Sequence, residues 1–480
     1  MILLISKDLH ENKQELLKQF NYSSDITIHE IETLCNTQAM VCYINGFIDK
    51  EALNENILKP LIKDLVSPMD ITDTVYISAI KEVSRFSEVI SEIIDGHVAL
   101  FHEDLEKAFV LNLCKYEKRS VSISDSEQVI RGPKEAFIED LFVNKTLIRR
   151  IIRNKNLVFE DFVLGDETNT KVSIVYVKEI VNEEILAELN ARIKEIKTDV
   201  VLDSNYIEEY IDDAPKSLLP TVYNTERPDV LAGKILEGRI GIICDGSPNA
   251  LTVPKLFVEC LMTAEDYYLK PLYATFLRFI RVFSLFVSIT LVGIYIALSS
   301  FHQEMIPTPL LISMAGQREG VPLSSFLEAV FMILFFEIMK EAGLRLPKAI
   351  GQTVTLIGGL VIGQAAVEAG VISAIMVIVV SATGIAEFVN PTLRDFIIIN
   401  RIFLIILGSI FGIYGIVCGI IIYTYHLASI KSIGVPYLFP MAPYDKEGMK
   451  DVFKRSPIKE FKYRPKYISS NNSRKRNKRA

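Results

Sequence analysis

At 480 residues the chain is too long for one ordinary domain, and its formal net charge of −7 offers no general basic surface for nucleic acid. Half of its residues are hydrophobic and the mean hydropathy is +0.28. The apolar residues are unevenly spread: charges recur every few positions up to about Phe276, and long uncharged runs dominate from there to Tyr425. A soluble chain spreads its apolar residues in short amphipathic periods, whereas this concentration is what a bilayer requires.

The N-terminal run MILLISKDLHENK has four apolar residues, Ile2 to Ile5, before charges begin. It does not read as a signal peptide, so the front domain is expected in the cytosol. The next segment, VCYINGFIDKEALNENILKPLIKDL from Val41, reads as strand, cap (Asp49) and helix. KVSIVYV from Lys171, the cap Asn182 and EEILAELNARIKEI repeat that grammar, with Tyr43 aligned to Tyr176 at an offset of 133. A second pairing lays IIDGHVALFHEDLEKAFVL from Ile93 over ILEGRIGIICDGSPNALTV from Ile235. There Gly96 matches Gly238 and Ala108 matches Ala250, at an offset of 142. Two matches in the same order at nearly equal offset predict a duplicated α/β subdomain, joined near IRGPKEAF at Ile130 to Phe137.

Within the second copy, Asp245-Gly246-Ser247-Pro248 follows a strand and reads as a turn. Turn chemistry accounts for each of the four residues, and an acidic turn after a strand is also a possible ligand contact. Five hydrophobic segments come next: Val282–Phe301, Gly320–Met339, Ala349–Val367, Ala369–Ala386 and Ile402–Tyr425. The second contains Glu328 and Glu337, and acids at membrane depth need protein or water beside them. It is therefore expected to be partial or re-entrant, with Lys340, Glu341 and Arg345 snorkelling at its end. In the third, Gly351, Thr355, Gly359 and Gly363 form a small-residue stripe suited to close helix packing. Thr353, Ile357, Leu360, Val361 and Gln364 give a neighbouring surface with polar ends and an apolar waist, as a hydrophobic gate needs. Ordinary helix packing is the alternative for both faces.

The last stretch, Lys446 to Arg479, carries thirteen Lys or Arg and is expected to face the cytosol and anionic lipid rather than nucleic acid. An even number of crossings would keep this tail beside the front domain. The expected fold is thus an α/β cytosolic region of two similar subdomains, 1–132 and 133–270, followed by an all-α polytopic membrane domain. That domain, 271–430, holds four to five hydrophobic helices, and 431–480 forms a basic tail. The sequence shows no P-loop, G-x-G-x-x-G, G-x-S-x-G or H-E-x-x-H, its six histidines are scattered and its six cysteines form no CxxC. No enzyme activity, cofactor or metal is expected.

Three strings carry a resemblance: GRIGIICDGSPNALTVPKLFVE, AEDYYLKPLYATFLRFIR, and the long LPKAIGQTVTLIGGLVIGQAAVEAGVISAIMVIVVSATGIAEFVNP. With RGPKEAFIEDLFVNKTLIRRIIRN upstream, the chain from about Val41 to Tyr444 resembles the A subunits of GerA-type spore germinant receptors. The resemblance implies a two-part cytosolic domain on a membrane domain in the inner membrane of the spore. It implies partners, a transporter-like B subunit and a lipoprotein C subunit, and a homo-oligomeric ring whose membrane domains line an ion path opened by nutrients. A transporter subunit or a signalling scaffold without an ion path is the other reading of the residues. At most five hydrophobic segments and no repeat in the membrane half speak against a transporter.

Overall fold

The computed structural model describes residues 3–77, 79–115, 127, 129–347, 358–359 and 361–469. The front half contains two five-stranded antiparallel sheets of identical order. The first joins β1 (Ile26–Glu32), β2 (Gln38–Ile44), β3 (Ile80–Val83), β4 (Val98–His102) and β5 (Ala108–Leu111) in the order β1-β2-β4-β5-β3. The second joins β6 (Leu157–Leu164), β7 (Thr170–Val177), β8 (Tyr223–Thr225), β9 (Ile240–Cys244) and β10 (Ala250–Val253) in the order β6-β7-β9-β10-β8. The registers agree as well as the order. Val41 faces Leu100 in the first sheet, and Ile174 faces Ile242 in the second. Phe101 pairs with Ala108 as Ile243 pairs with Ala250. These are the positions related by 133 and 142 in the sequence, so the repeat extends to single residue pairs.

Both sheets are buried on both faces. Along β2, Met40, Cys42 and Ile44 enter one apolar cluster while Ala39, Val41 and Tyr43 enter another. Strand β7 divides likewise, Val172, Ile174 and Tyr176 from Val175 and Val177. Alternation is therefore masked, because opposite faces both need apolar side chains. The first half adds helices α1 (Leu9–Gln19), α2 (Lys50–Leu53), α3 (Lys59–Lys63), α4 (Ile71–Thr74) and α5 (Phe86–Ile94). The second adds α6 (Leu141–Ile151), α7 (Glu183–Glu195), α8 (Ser204–Ile211) and α9 (Pro228–Glu237). Asp49 and Asn182 are helix caps, accepting from the N–H of Glu51 and of Glu184.

The halves are joined through a buried ion pair. Arg149 of α6 donates from Nε and Nη2 to the two carboxylate oxygens of Asp25, at 2.7 and 2.8 Å, and from Nη2 to Leu157 O at 3.0 Å. Both side chains are almost fully buried. Beside them, Ser24 N–H donates to Phe159 O at 3.0 Å.

The C-terminal half is helical. Helix α10 (Pro271–Phe301) leaves the second sheet region and is followed by α11 (Thr308–Arg318), α12 (Ser325–Arg345), α13 (361–368), α14 (Ala374–Glu387) and α15 (Arg394–Ser429). Helix α12 is unbroken over 21 residues, and its acids Glu328 and Glu337 find partners inside the bundle. The fifth hydrophobic segment differs from expectation, since α15 is two helices. The backbone of Gly412 (φ 60, ψ −143) breaks it, and the arms 394–411 and 413–429 lie antiparallel. Tyr423 Oη donates to Asn400 O at 3.3 Å, and the Phe396 and Tyr423 rings are 5.9 Å apart. A straight helix would separate those rings by about 40 Å. The first arm runs alongside α10, where Gly293 and Gly408 allow backbone contact: a Cβ on Gly408 would lie 2.9 Å from Gly293 O.

The second arm returns the chain to the sheet domain. Strands β11 (Lys431–Ser432) and β12 (Val435–Pro436) follow it. Ser432 Oγ accepts from Lys255 N–H at 2.9 Å and donates to Thr221 O at 2.6 Å. Ile433, Phe439, Val452 and Ile468 then join the core of the second sheet.

Two outcomes are expected. Arg149→Met leaves Asp25 buried without its cation and should cost about 3–5 kcal/mol, read as a lowered urea midpoint of the full chain. Gly412→Val forces a branched side chain into a backbone region open only to glycine, 3.0 Å from His302 Nε2. It should destabilise the bundle by about 1–3 kcal/mol in thermal unfolding, and Gly415→Ala in the helical arm is not its equivalent control because Leu407 O crowds that site.

Candidate functional site

Charged side chains at the centre of an apolar bundle are costly, so their arrangement is the first guide to function. Lys340 of α12, Glu387 at the end of α14 and Arg401 in the first arm of α15 are each buried. Lys340 Nζ lies 2.6 Å from Glu387 Oε1 and 2.8 Å from Glu337 Oε1. Arg401 Nη2 lies 2.6 Å from Glu387 Oε2, and its Nε donates to Ser288 O of α10 at 2.8 Å. Glu387 thus bridges two cations with separate oxygens, and four helices meet at one network. Arg401 Nη1 makes no hydrogen bond and stops 3.9 Å from Glu337 Oε1, while Arg394 closes the edge at 3.9 Å from Glu387. Two acids face two buried cations here, with the half-exposed Arg394 as a third at the edge, so the network suits locking helices together more than holding a free cation.

A second polar layer sits near the far end of α10. Glu328 is fully buried, and its Oε2 accepts from Ser373 N–H at 2.9 Å and from Ser373 Oγ at 2.7 Å, closing the N-terminus of α14. Its Oε1 has no hydrogen bond, although Arg318 Nε is 3.7 Å away and is itself without one. Tyr295 Oη is likewise unbonded among the same groups. Glu328 Oε1, Arg318 Nε and Tyr295 Oη are thus three buried polar atoms of one layer without a hydrogen bond.

The remaining candidates separate into three groups. Gly351, Thr353, Thr355, Ile357 and Leu360 lie outside the described residues. On α13 and just before it, a Cβ on Gly359 would meet Met339 Cε at 3.5 Å and one on Gly363 would meet Val377 at 3.8 Å, so these small positions face α12 and α14. Val361 is 55% exposed, and Gln364 is on the bundle surface, donating to Glu368 at 2.8 Å. Asp245 Oδ1 accepts from Leu141 N–H at 3.1 Å at the start of α6, beside the cap Asp140. Gly246 takes φ +81 and donates to Glu139 O at 2.7 Å, and Ser247 Oγ donates to Asp203, so local structure occupies the turn that Pro248 closes. Among the described residues no three His, Cys, Asp or Glu side chains are grouped as a metal site.

Sequence reasoning placed Lys340 at the interface, snorkelling. It is instead buried, because Glu387 reaches it from another helix. Glu387 and Arg401 were missed. Their signal was present: an acid in GIAEFV and an arginine in IINRIFLII, each set among apolar residues with no partner on its own helix face. Glu387→Gln removes the charge that both cations share and should lower stability by about 3–5 kcal/mol in detergent thermal unfolding. Lys340→Met alone should cost less, since Arg401 still neutralises Glu387.

The comparisons with known proteins agree in direction. The family described as Bacillus/Clostridium GerA spore germination protein matches residues 14–467. Spore germination protein KA of Bacillus subtilis (strain 168) is 39% identical over 477 residues, covering 97% of this chain and 88% of the relative. The uncharacterized membrane protein YfkQ of the same strain is 38% identical over 482 residues, covering 99% and 94%. The crystal structure of the N-terminal domain of the A subunit of the Bacillus megaterium spore germinant receptor GerK3 is 28% identical. It aligns with a TM-score of 0.41 over 54% of this chain and 98% of that one. A family match along nearly the whole length, with relatives at this identity and coverage, places the chain in the GerA family of spore germination proteins.

Proposed function

We propose that the chain is the A-type subunit of a nutrient-sensing spore germination receptor and that its helical domain spans the inner membrane of the spore. In this reading six apolar passes cross: α10, α12, the third hydrophobic segment with α13, α14 and the two arms of α15. Both ends of the helical domain meet the second sheet, which supports an even number of crossings with the sheet domains on one side. Arg278, Arg281, Lys340, Arg394 and Arg401 lie toward that side, in keeping with a cytosolic placement. The domain division follows the same frame: two cytosolic subdomains, a membrane domain after about residue 270, and a basic end beyond 430 that meets anionic lipid.

The ion-channel reading goes further. Copies of this chain assemble as a ring, with a transporter-like B subunit and a lipoprotein C subunit, and the third hydrophobic segment forms the gate. One observation carries it. On α13 and just before it, the small residues Gly363 and Gly359 face this chain's own helices, while Val361 and Gln364 are exposed. A polar glutamine on the outer face of an apolar bundle is better matched by water or another subunit than by lipid. Asp245, Gly246, Ser247 and Pro248 serve as a structural turn in this reading. No chemistry on a substrate is involved, so the chain is a receptor subunit rather than an enzyme. A signalling scaffold without an ion path is the competing reading, in which Gln364 is a packing residue.

Reconstitution in liposomes, alone and with the B and C partners, separates the two by ion flux with and without candidate nutrients. The channel reading expects nutrient-dependent flux in the complex, raised closed-state leak in Leu360→Ala and Val361→Ala, and lost assembly in Gly359→Leu. Flux and leak unchanged in small-residue variants at Ile357, Leu360 and Val361 would move the gate elsewhere, and absence of any flux would favour the scaffold.

A further inference from the structure

Helix α9, the segment 256–268 and the C-terminal stretch 439–465 enclose a cleft of about 310 Å³ on the second sheet domain. That volume is in the range of small-molecule sites. Its walls are aromatic: Tyr223, Tyr267, Tyr268, Phe439, Phe461 and Tyr463. Two of the tyrosine hydroxyls are already engaged, Tyr267 with Asp451 at 2.8 Å and Tyr268 with Asp229, so these residues offer ring surface to a guest.

The floor is charged and unevenly neutralised. Lys234 Nζ lies 3.7 Å from the centroid of the Tyr223 ring and 3.1 Å from Glu259 Oε1. Arg239 Nη2 takes the same oxygen, while Glu259 Oε2 accepts from Leu256 N–H at 3.2 Å. One carboxylate oxygen therefore serves two cations, buried Arg239 and part-buried Lys234. Arg239 has a second acid, Glu237 at 2.6 Å, whereas among the described residues Glu259 is the one acid at ion-pair distance from Lys234. The other acids of the wall are answered from outside the cleft: Asp229 by Arg227 at 2.8 Å, Asp451 by Arg278 at 2.9 Å and Glu447 by Lys450 at 2.7 Å. Burial, with the nearby Arg239 charge, pulls the Lys234 ammonium down to about 8 against the pull of Glu259 and Glu237.

We propose that this cleft is a binding site for a small planar molecule bearing a carboxylate, its ring stacked among the tyrosines and its anion on Lys234. An anion there completes the half-neutralised lysine, and an aromatic ring makes the contacts the walls provide. A protonated amine would meet Lys234 with like charge. The cleft also adjoins the base of α10, because Tyr267 and Asp451 form its wall while Asp451 holds Arg278 of that helix. The site needs no ion path, so its test is independent of the channel reading.

The test uses the full chain in nanodiscs, with benzoate as the probe and benzylamine and benzyl alcohol as controls of equal ring size, followed by saturation-transfer NMR. Gly233 on the cleft-facing side of α9 has nothing within 4 Å of an added Cβ and no positive φ, so Gly233→Trp should fill the cleft without straining the fold. Lys234→Met keeps the stem over Tyr223 and removes the charge. We expect benzoate to bind at least tenfold tighter than either control, and at least tenfold weaker in each variant, with Gly233→Trp unfolding at the wild-type temperature. Benzoate binding no tighter than benzyl alcohol, tighter binding of benzylamine, or benzoate affinity unchanged in Gly233→Trp would overturn the site. Loss in Gly233→Trp with full affinity in Lys234→Met would overturn its assignment to an anion. Should Lys234→Met fail to fold, the three-ligand comparison and Gly233→Trp still decide.

Discussion

Asp266 is the point on which the two halves of the molecule turn. Its carboxylate is fully buried and receives Arg278 at 3.1 Å and both terminal nitrogens of Arg281 at 2.8 and 2.9 Å. Both arginines belong to the first turns of α10, and Asp266 belongs to the segment that leaves the second sheet. Arg278 also donates to Asp451 and to Val452 O, in the stretch that returns from the bundle. The outgoing and returning chains are thus clamped by one carboxylate and one guanidinium. A buried acid with two cations is rigid for the reason that it is expensive: displacing any member strands a charge away from water. Asp266 and Arg278 thus fix the start of α10 to the sheet domain.

The same physics recurs higher in the bundle. Apolar helices side by side have little to fix their rotation or depth, because lipid and leucine are equally apolar. Glu387, Lys340 and Arg401 supply that register, and Ser288 O ties the network to α10. Gly293 and Gly408 then let the backbones touch. Glu328 adds a second fixed level by closing the N-terminus of α14. On α13 and just before it, a Cβ on Gly359 would meet Met339 of α12 and one on Gly363 would meet Val377 of α14, so small residues bring this stretch close to both helices.

The C-terminal stretch has two roles that composition alone did not separate. Its basic residues suggested only a tail near lipid, yet its apolar ones complete the core of the second sheet and roof the aromatic cleft. These residues are spaced irregularly, with cis prolines and short turns between them, and so show no period. A segment of this kind becomes part of a core only when a preformed surface selects it.

The duplicated subdomains were legible because strand register and helix caps are local: Tyr43 and Tyr176, Gly96 and Gly238, Asp49 and Asn182 hold their roles within a few residues of chain. The apolar character of the second half was legible for a similar reason, since burial in lipid demands long uncharged runs whatever their neighbours. What the sequence left open was every decision made between helices. Ile402–Tyr425 reads as one helix, as hydropathy carries no direction, and the contacts of Tyr423 with Asn400 and Phe396 reveal the reversal at Gly412. Lys340 reads as a snorkelling residue until Glu387, 47 positions away, is brought beside it. Sequence alone determined which segments fold and which are apolar; tertiary structure decided which charges are neutralised, because the energy of a buried charge depends on partners that linear spacing does not encode.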